Sequence, residues 1–282
     1  MKYFQDKICV ITGAGSGLGR DFAIQLYQKG AKLALCDLDQ DSLEKTLQRT
    51  GDDGIRVKLF QVDVSDQSAM EELALDVESQ LGPADMLINN AGICLIPGTF
   101  EDTADEQFRK VIDVNMWGPY YGIRAFLPQL KNRPEASIVN ISSLAGIVGM
   151  YGHSAYSMSK AALRGLSQAL QSELSGSKVH LTVVHPGGVK TNLIKNAPNL
   201  EENLQEKAHR NFTEMSFQTA DKTVKKIIKG IQKNKAQVII GLDSRLILLI
   251  KALFPKAHPN IIRLLFSQAN FKNDPPWRTK RP

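Results

Sequence analysis

Ile8-Cys9-Val10-Ile11-Thr12-Gly13-Ala14-Gly15-Ser16-Gly17-Leu18-Gly19 is a short apolar run that breaks into glycine and then into a helical pattern from Leu18 to Lys29. Glycines at 13, 17 and 19 let a turn tighten and let the backbone approach a pyrophosphate at the positive end of the following helix. A glycine-rich turn alone is a common loop. Between a strand and a helix, at the start of a β-α-β unit, it points to a bound dinucleotide, with Ser16 and Leu18 among the residues around it.

The same alternation continues along the chain. Apolar runs of strand length recur at Ile8 to Thr12, Lys32 to Cys36, Val57 to Val62, Met86 to Asn89, Ser137 to Ile141, Val179 to His185 and Gln237 to Ile240. Helical patterns separate them at Leu18 to Lys29, Gln67 to Gln80, Asp105 to Leu130, Ala155 to Ser175 and Thr219 to Lys233. Near-continuous apolar strands are those covered on both faces. The expected fold is therefore α/β, a single Rossmann-type doubly wound domain of about seven parallel strands with helices on both faces. Residues 1–244 form that unit, and the polar, helix-prone stretch 190–218 inside it has the length of a functional lid. Residues 245–282 are an apolar-basic helical extension. Its apolar runs, Leu246 to Ile250 and Ile261 to Phe266, are interrupted by Lys251 and Pro255 well short of the ~20 residues a membrane-crossing helix needs.

A composition of 43% hydrophobic and 23% charged residues excludes a wholly disordered, collagen-like or disulfide-scaffold chain. The net charge of +6 is unevenly placed, negative over residues 1–190 and +10 over 191–282. Three cysteines, two inside apolar strands, and no Cys/His cluster argue against disulfides and zinc, so no metal is expected. The N-terminus runs straight into the first strand without a secretory signal, and the reducing cytoplasm is the expected compartment.

Asp37 ends the second strand, where a carboxylate accepts hydrogen bonds from both hydroxyls of an adenosine ribose and repels a 2′-phosphate. Its neighbours Leu38 and Ser16 supply no compensating cation, so NAD(H) is expected over NADP(H). The competing reading makes Asp37 a helix N-cap in Asp37-Leu38-Asp39.

Further motifs appear in fixed order: Asp63-Val64 after the third strand, Asn89-Asn90-Ala91-Gly92 after the fourth, Val114-Asn115-Met116-Trp117 in a helix, Ser142-Ser143 after the fifth, Tyr156-Ser157-Met158-Ser159-Lys160, and Pro186-Gly187-Gly188-Val189-Lys190-Thr191 after the sixth. With Thr12-Gly13-x-x-x-Gly17-x-Gly19, this ordered set resembles the short-chain dehydrogenase/reductase family over about residues 5 to 241. The resemblance implies an oxidoreductase that moves a hydride between a nicotinamide cofactor and an alcohol or carbonyl. It also implies adenine contacts from Asp63 and Val64, cofactor-binding positions at Asn90, Ala91, Gly92, Pro186 and Gly187, and a carboxamide site at Val189 and Thr191. Tyr156 and Lys160 are one helical turn apart and share a face. An ammonium beside a phenol favours the phenolate, so Tyr156 is expected as the general acid/base with a lowered pKa. The resemblance makes Ser143, thirteen positions before the tyrosine, the substrate-orienting hydroxyl. It gives Asn115 a water relay to Lys160, and Lys160 the nicotinamide ribose.

By the same resemblance, Cys94, Leu95, Leu144, Tyr151, His153 and Leu193, with Ile194, Phe212, Met215 and Phe217 of the lid, face substrate. Their apolar character suggests a small lipophilic alcohol, ketone or aldehyde. His153 and His185 invite a hydrolytic triad with Ser143, but no nucleophile elbow precedes the serine. Two other functions compete: a non-catalytic NAD(H)-sensing regulator, and nucleic-acid binding by the basic last third. The lysines at 222, 225, 226, 229 and 233 have the spacing of a solvated helix face, and no nucleic-acid motif accompanies them. For the extension two readings stand: helices packed on the chain or on a partner subunit, or a peripheral membrane contact. Family analogy suggests a homo-oligomer, dimer or tetramer.

Overall fold

The computed structural model describes residues 3–52, 54–95, 98–191, 193, 210, 213 and 218–270, with side chains to residue 265. The lid expected over 190–218 and the basic tail from Lys272 fall largely outside these residues, as do Ile194, Phe212, Met215 and Phe217.

Seven parallel strands form one sheet: β1 (Ile8–Thr12), β2 (Lys32–Asp37), β3 (Val57–Gln61), β4 (Met86–Asn89), β5 (Ala136–Ile141), β6 (Val179–Pro186) and β9 (Gln237–Ile240). Their order is β3-β2-β1-β4-β5-β6-β9, and a separate short pair joins β7 (Val189–Lys190) to β8 (Gln218–Thr219). Alternate residues feed two cores, as a period of two dictates. Cys9 and Ile11 of β1 meet one core with Phe22 and Leu26 of α1 (Gly17–Tyr27), Leu43 of α2 (Gln40–Thr50) and Ile227 of α7 (Ala220–Ile231). Ile8 and Val10 meet the other, with Met70 of α3 (Gln67–Leu81), Phe126 of α5 (Gly118–Lys131) and Leu170 of α6 (Ser154–Glu173). The strand order reverses between β1 and β4, and such a reversal opens a crevice beyond the strand ends.

Three elements differ from the sequence expectation. Helix α2 was not anticipated, because only Leu43 and Thr46 of its eleven residues are buried and its apolar period is faint. The helix expected over 105–130 is two, α4 (Asp105–Ile112) and α5, joined by a widened turn at Asp113–Trp117 that carries the buried Asn115 inward. The extension contains two helices, α8 (Leu242–Leu253) and α9 (His258–Asn270), and α8 begins three residues before the expected boundary. Ile247 and Ile262 pack on Leu144 and Val148, so these helices lie on the same chain.

Candidate active site

The nucleotide turn is held by its own backbone and by its neighbours. Gly13 has φ +65, a conformation that disfavours any side chain, and a Cβ at Gly19 would lie 2.0 Å from the Gly13 carbonyl oxygen. The Thr12 hydroxyl oxygen accepts the Asn90 and Ala91 amides at 3.0 and 3.1 Å, and Asn90 Nδ2 donates to the Thr12 carbonyl at 2.9 Å. This stitches the end of β1 to the end of β4. Asp37 does not cap α2; Asp39 does, accepting from the Ser42 amide and hydroxyl, which hold its carboxyl below the usual range. Asp37 Oδ2 instead accepts the Gly15 amide at 2.8 Å and Oδ1 the Asp39 amide at 3.2 Å.

Arg20 and Thr46 complete the turn without having been marked by the sequence. The Arg20 guanidinium donates to the Gly15 carbonyl and to the Thr46 hydroxyl oxygen, and that hydroxyl donates to the Ala14 carbonyl at 3.0 Å. Neither residue belongs to a motif. Their signal lies only in the fold, which lays α2 beside the turn.

The second half of the site is carried by α6 and by the turn after β5. Lys160 is buried, its ammonium donating to the Ile141 carbonyl at 3.0 Å and lying 5.7 Å from the centre of the Tyr156 ring. Ser142, expected only to end a strand, donates its hydroxyl to the Lys160 carbonyl at 2.9 Å and so fastens α6 to β5. Ser143 Oγ accepts the Ala145 amide at 3.1 Å. His185 Nδ1 donates to the Ser143 carbonyl at 3.0 Å, a positioning contact and not a triad. Asn115 pairs with the Ile93 backbone, accepting its amide at 2.9 Å and donating to its carbonyl at 2.8 Å, and donates to Ser159 Oγ at 3.1 Å.

The protonation pattern reverses one expectation. Burial pushes the Tyr156 phenol above its ordinary value, helped by Cys94, and hydrogen bonding with Ser143 only partly opposes it. The same burial lowers Lys160 to about 8. The ammonium is aimed at the Ile141 carbonyl, so desolvation outweighs the stabilisation it gives the phenolate. Sequence spacing shows proximity but not depth.

One cleft of about 780 Å³ joins the two halves, a size suited to a small-molecule ligand. Gly13, Ser16, Gly17, Leu18, Asp37, Asp63, Val64, Asn90, Ala91 and Gly92 line it, as do Ser143, Tyr156, Lys160, Pro186, Gly187, Val189, Thr191 and Leu193. Gly19 lies behind the turn and Asn115 behind Ile93. Five expected substrate residues are not in its wall. Leu95 packs with Val111 and Ala155, Leu144 lies under the C-terminal helices, and Tyr151 is exposed. Cys94 Sγ lies 3.5 Å from His153 Nδ1, and His153 faces a separate small cavity with Tyr156. Burial lowers His153 to about 4. Glu106, Arg109, Lys110 and Asp113 of the α4 region also border the cleft, although in sequence they resemble a solvated helix face. Among the described residues no group of three His, Cys, Asp or Glu is placed to hold a metal ion.

Comparison with known proteins gives one consistent set. The short chain dehydrogenase family profile matches residues 7–202. A putative oxidoreductase, SadH, from Mycobacterium tuberculosis is 35% identical over 265 residues, covering 93% of this chain and 96% of that protein. The 3-ketodihydrosphingosine reductase of Bos taurus is 38% identical over 187 residues, covering 64% of this chain and 56% of the relative. The crystal structure of a short chain dehydrogenase/reductase from Burkholderia phymatum in complex with NAD superposes with a TM-score of 0.78 at 26% identity, covering 98% of both chains.

Proposed function

This chain belongs to the short-chain dehydrogenase/reductase family, and on that premise we propose that it interconverts a lipophilic alcohol and its ketone or aldehyde, with NAD(H) as hydride carrier and Tyr156 as acid/base. The oxidoreductase class and a nicotinamide cofactor come with the family. The observation that carries the finer reading is the meeting of Ser143, Tyr156 and Lys160 in the same cleft that begins at the glycine turn.

The residues present fit such a cofactor. The turn and the start of α1 offer backbone amides to a pyrophosphate. Asp37, its carboxylate fixed by two amides, would accept both ribose hydroxyls and repel a 2′-phosphate. Arg20 lies within electrostatic reach of Asp37, but its hydrogen bonds go to the Gly15 carbonyl and Thr46 and not to the carboxylate. Asp63 and Val64 would border the adenine, Lys160 the second ribose, and Val189 and Thr191 the carboxamide. Bound nicotinamide would supply the hydride chemistry. Ser143 Oγ accepts the Ala145 amide, and its O–H, which here hydrogen-bonds with Tyr156, would donate to the oxygen of a bound substrate. Tyr156, held as a phenol, donates the proton in reduction and recovers it in oxidation.

Leu193, Ile93 and Val189 on the cleft favour an apolar substrate, and one relative is named for reducing 3-ketodihydrosphingosine. Three free, buried cysteines suit a reducing cytoplasm. A ring cluster on and beside α5, with Trp117 and Tyr120 exposed and Tyr121 half-buried, supports assembly into a homo-oligomer. Residues 1–244 would be the catalytic unit, 190–218 its lid and 245–282 an appended helical cover.

Turnover of a panel of alcohols and ketones, followed by NADH absorbance, tests the reading. Tyr156→Phe is expected to lose roughly 10²- to 10⁴-fold in kcat while still binding NADH. Retained turnover would contradict the acid/base role, and equal efficiency with NADPH would contradict the Asp37 argument.

A further inference from the structure

We infer that the outer face of α8 and α9 docks on an anionic phospholipid bilayer. Leu242, Leu246, Leu249 and Leu253 recur at intervals of four, three and four residues, which places them within about 60° of arc on one side of the helix. All four are between 53% and 83% exposed, and Phe254, Leu264 and Leu265 extend the apolar surface. The opposite side is already used: Ser244 and Ile247 are buried, Ile247 packs on Leu144 and Val148, and the Lys251 ammonium donates to the Ile147 carbonyl. Most of the leucine stripe is therefore left in solvent while the opposite side holds α8 in place. A large apolar stripe on a surface helix marks a contact.

Charge selects the partner. Residues 241–282 carry eight basic and two acidic side chains, a net of +6, equal to the net charge of the whole chain. The remaining 240 residues are thus neutral in sum. Arg245, Lys256 and Arg263 are exposed beside the leucines. A second copy of the chain would bring the same positive charge to the stripe, whereas an anionic leaflet complements it. Among the described residues no helix is long and apolar enough to cross a membrane, so the helices lie along the surface with the leucines inserted. The inner face of the same helices covers Leu144, next to Ser143, which sets the bilayer beside the cleft.

Co-sedimentation of the full chain with vesicles tests this, independently of turnover. Wild-type protein is expected to sediment with vesicles of phosphatidylcholine and phosphatidylglycerol in equal parts and far less with phosphatidylcholine alone. Leu246→Gln/Leu249→Gln is expected to weaken partitioning by about tenfold or more. Lys256→Gln/Arg263→Gln should weaken it about fivefold for each charge removed. All four positions are exposed, so both variants should keep the wild-type thermal unfolding and any turnover of a water-soluble substrate. Binding unchanged by the leucine variant, equal binding to both vesicle types, or no binding by the wild type would overturn the inference. It also falls if the leucine variant lowers the mass of the protein in solution while neither protein binds vesicles, an outcome that assigns the stripe to a second copy.

Discussion

Lys160 is the residue whose environment most affects how the site should respond to pH. Burial holds it near 8, so it is charged below that pH and neutral above it. In carbonyl reduction Tyr156 must hold a proton, which its raised pKa secures, and the phenolate left behind needs the ammonium. Reductive kcat/KM is thus expected to be flat in acid and to fall between about pH 7 and about pH 10 as Lys160 loses its proton near 8. A reductive profile flat across that whole range would show that the ammonium is not required. The pairing of Tyr156 with Lys160 was legible from a spacing of four. Their protonation was not, because it is set by desolvation that only the packed α6 and β5 create. Asp37 shows the same division: its place at a strand end identified it, but its grip on the Gly15 amide depends on a fold that brings residues 22 positions apart together.

At the level of elements, α6, which carries Tyr156 and Lys160, is joined to the sheet by a buried polar chain. Asn89 Nδ2 of β4 donates to Asn140 Oδ1 of β5 at 2.9 Å, Asn140 Nδ2 donates to Ser167 Oγ of α6 at 2.9 Å, and Ser167 donates to the Leu163 carbonyl. Asn140→Leu is expected to cost about 2–5 kcal/mol, because Asn89 and Ser167 each lose a buried partner. Thermal unfolding checks this, and a loss below about 0.5 kcal/mol would mean that the chain adds nothing beyond packing. The strands carrying these residues were readable as apolar runs and the order of helices as periodic patterns. The break at Asp113–Trp117 was hidden, since the helical pattern resumes on its far side without a proline or glycine inside the widened turn to mark it. Helix α2 was hidden for the opposite reason: it is held by the Asp39 cap and the Thr46 hydroxyl more than by an apolar face.

Across the whole molecule, residues 1–240 are neutral in sum and the net charge sits in residues 241–282, so the proposed hold on an anionic cofactor would rest on backbone amides and not on bulk charge. The three cysteines follow the same separation of scaffold from surface. Burial raises Cys9 and Cys94 to about 12 and Cys36 further still, so almost no thiolate exists at neutral pH. Native protein is expected to resist Ellman's reagent and to release three thiols on denaturation; one fast-reacting thiol in the native state would show that the wall holding Cys94 opens. The sequence left the extension with two readings, because a helix that is apolar on two sides looks the same whether it packs inward, outward or both. Lys251 meets the carbonyl of Ile147, which lies 104 positions earlier. At a synthesis rate of ~5–20 residues per second, that partner waits on the order of 5–20 s after it is made. A newborn chain can thus assemble β1 to β5 and the glycine turn well before α8 covers the segment that follows Ser143.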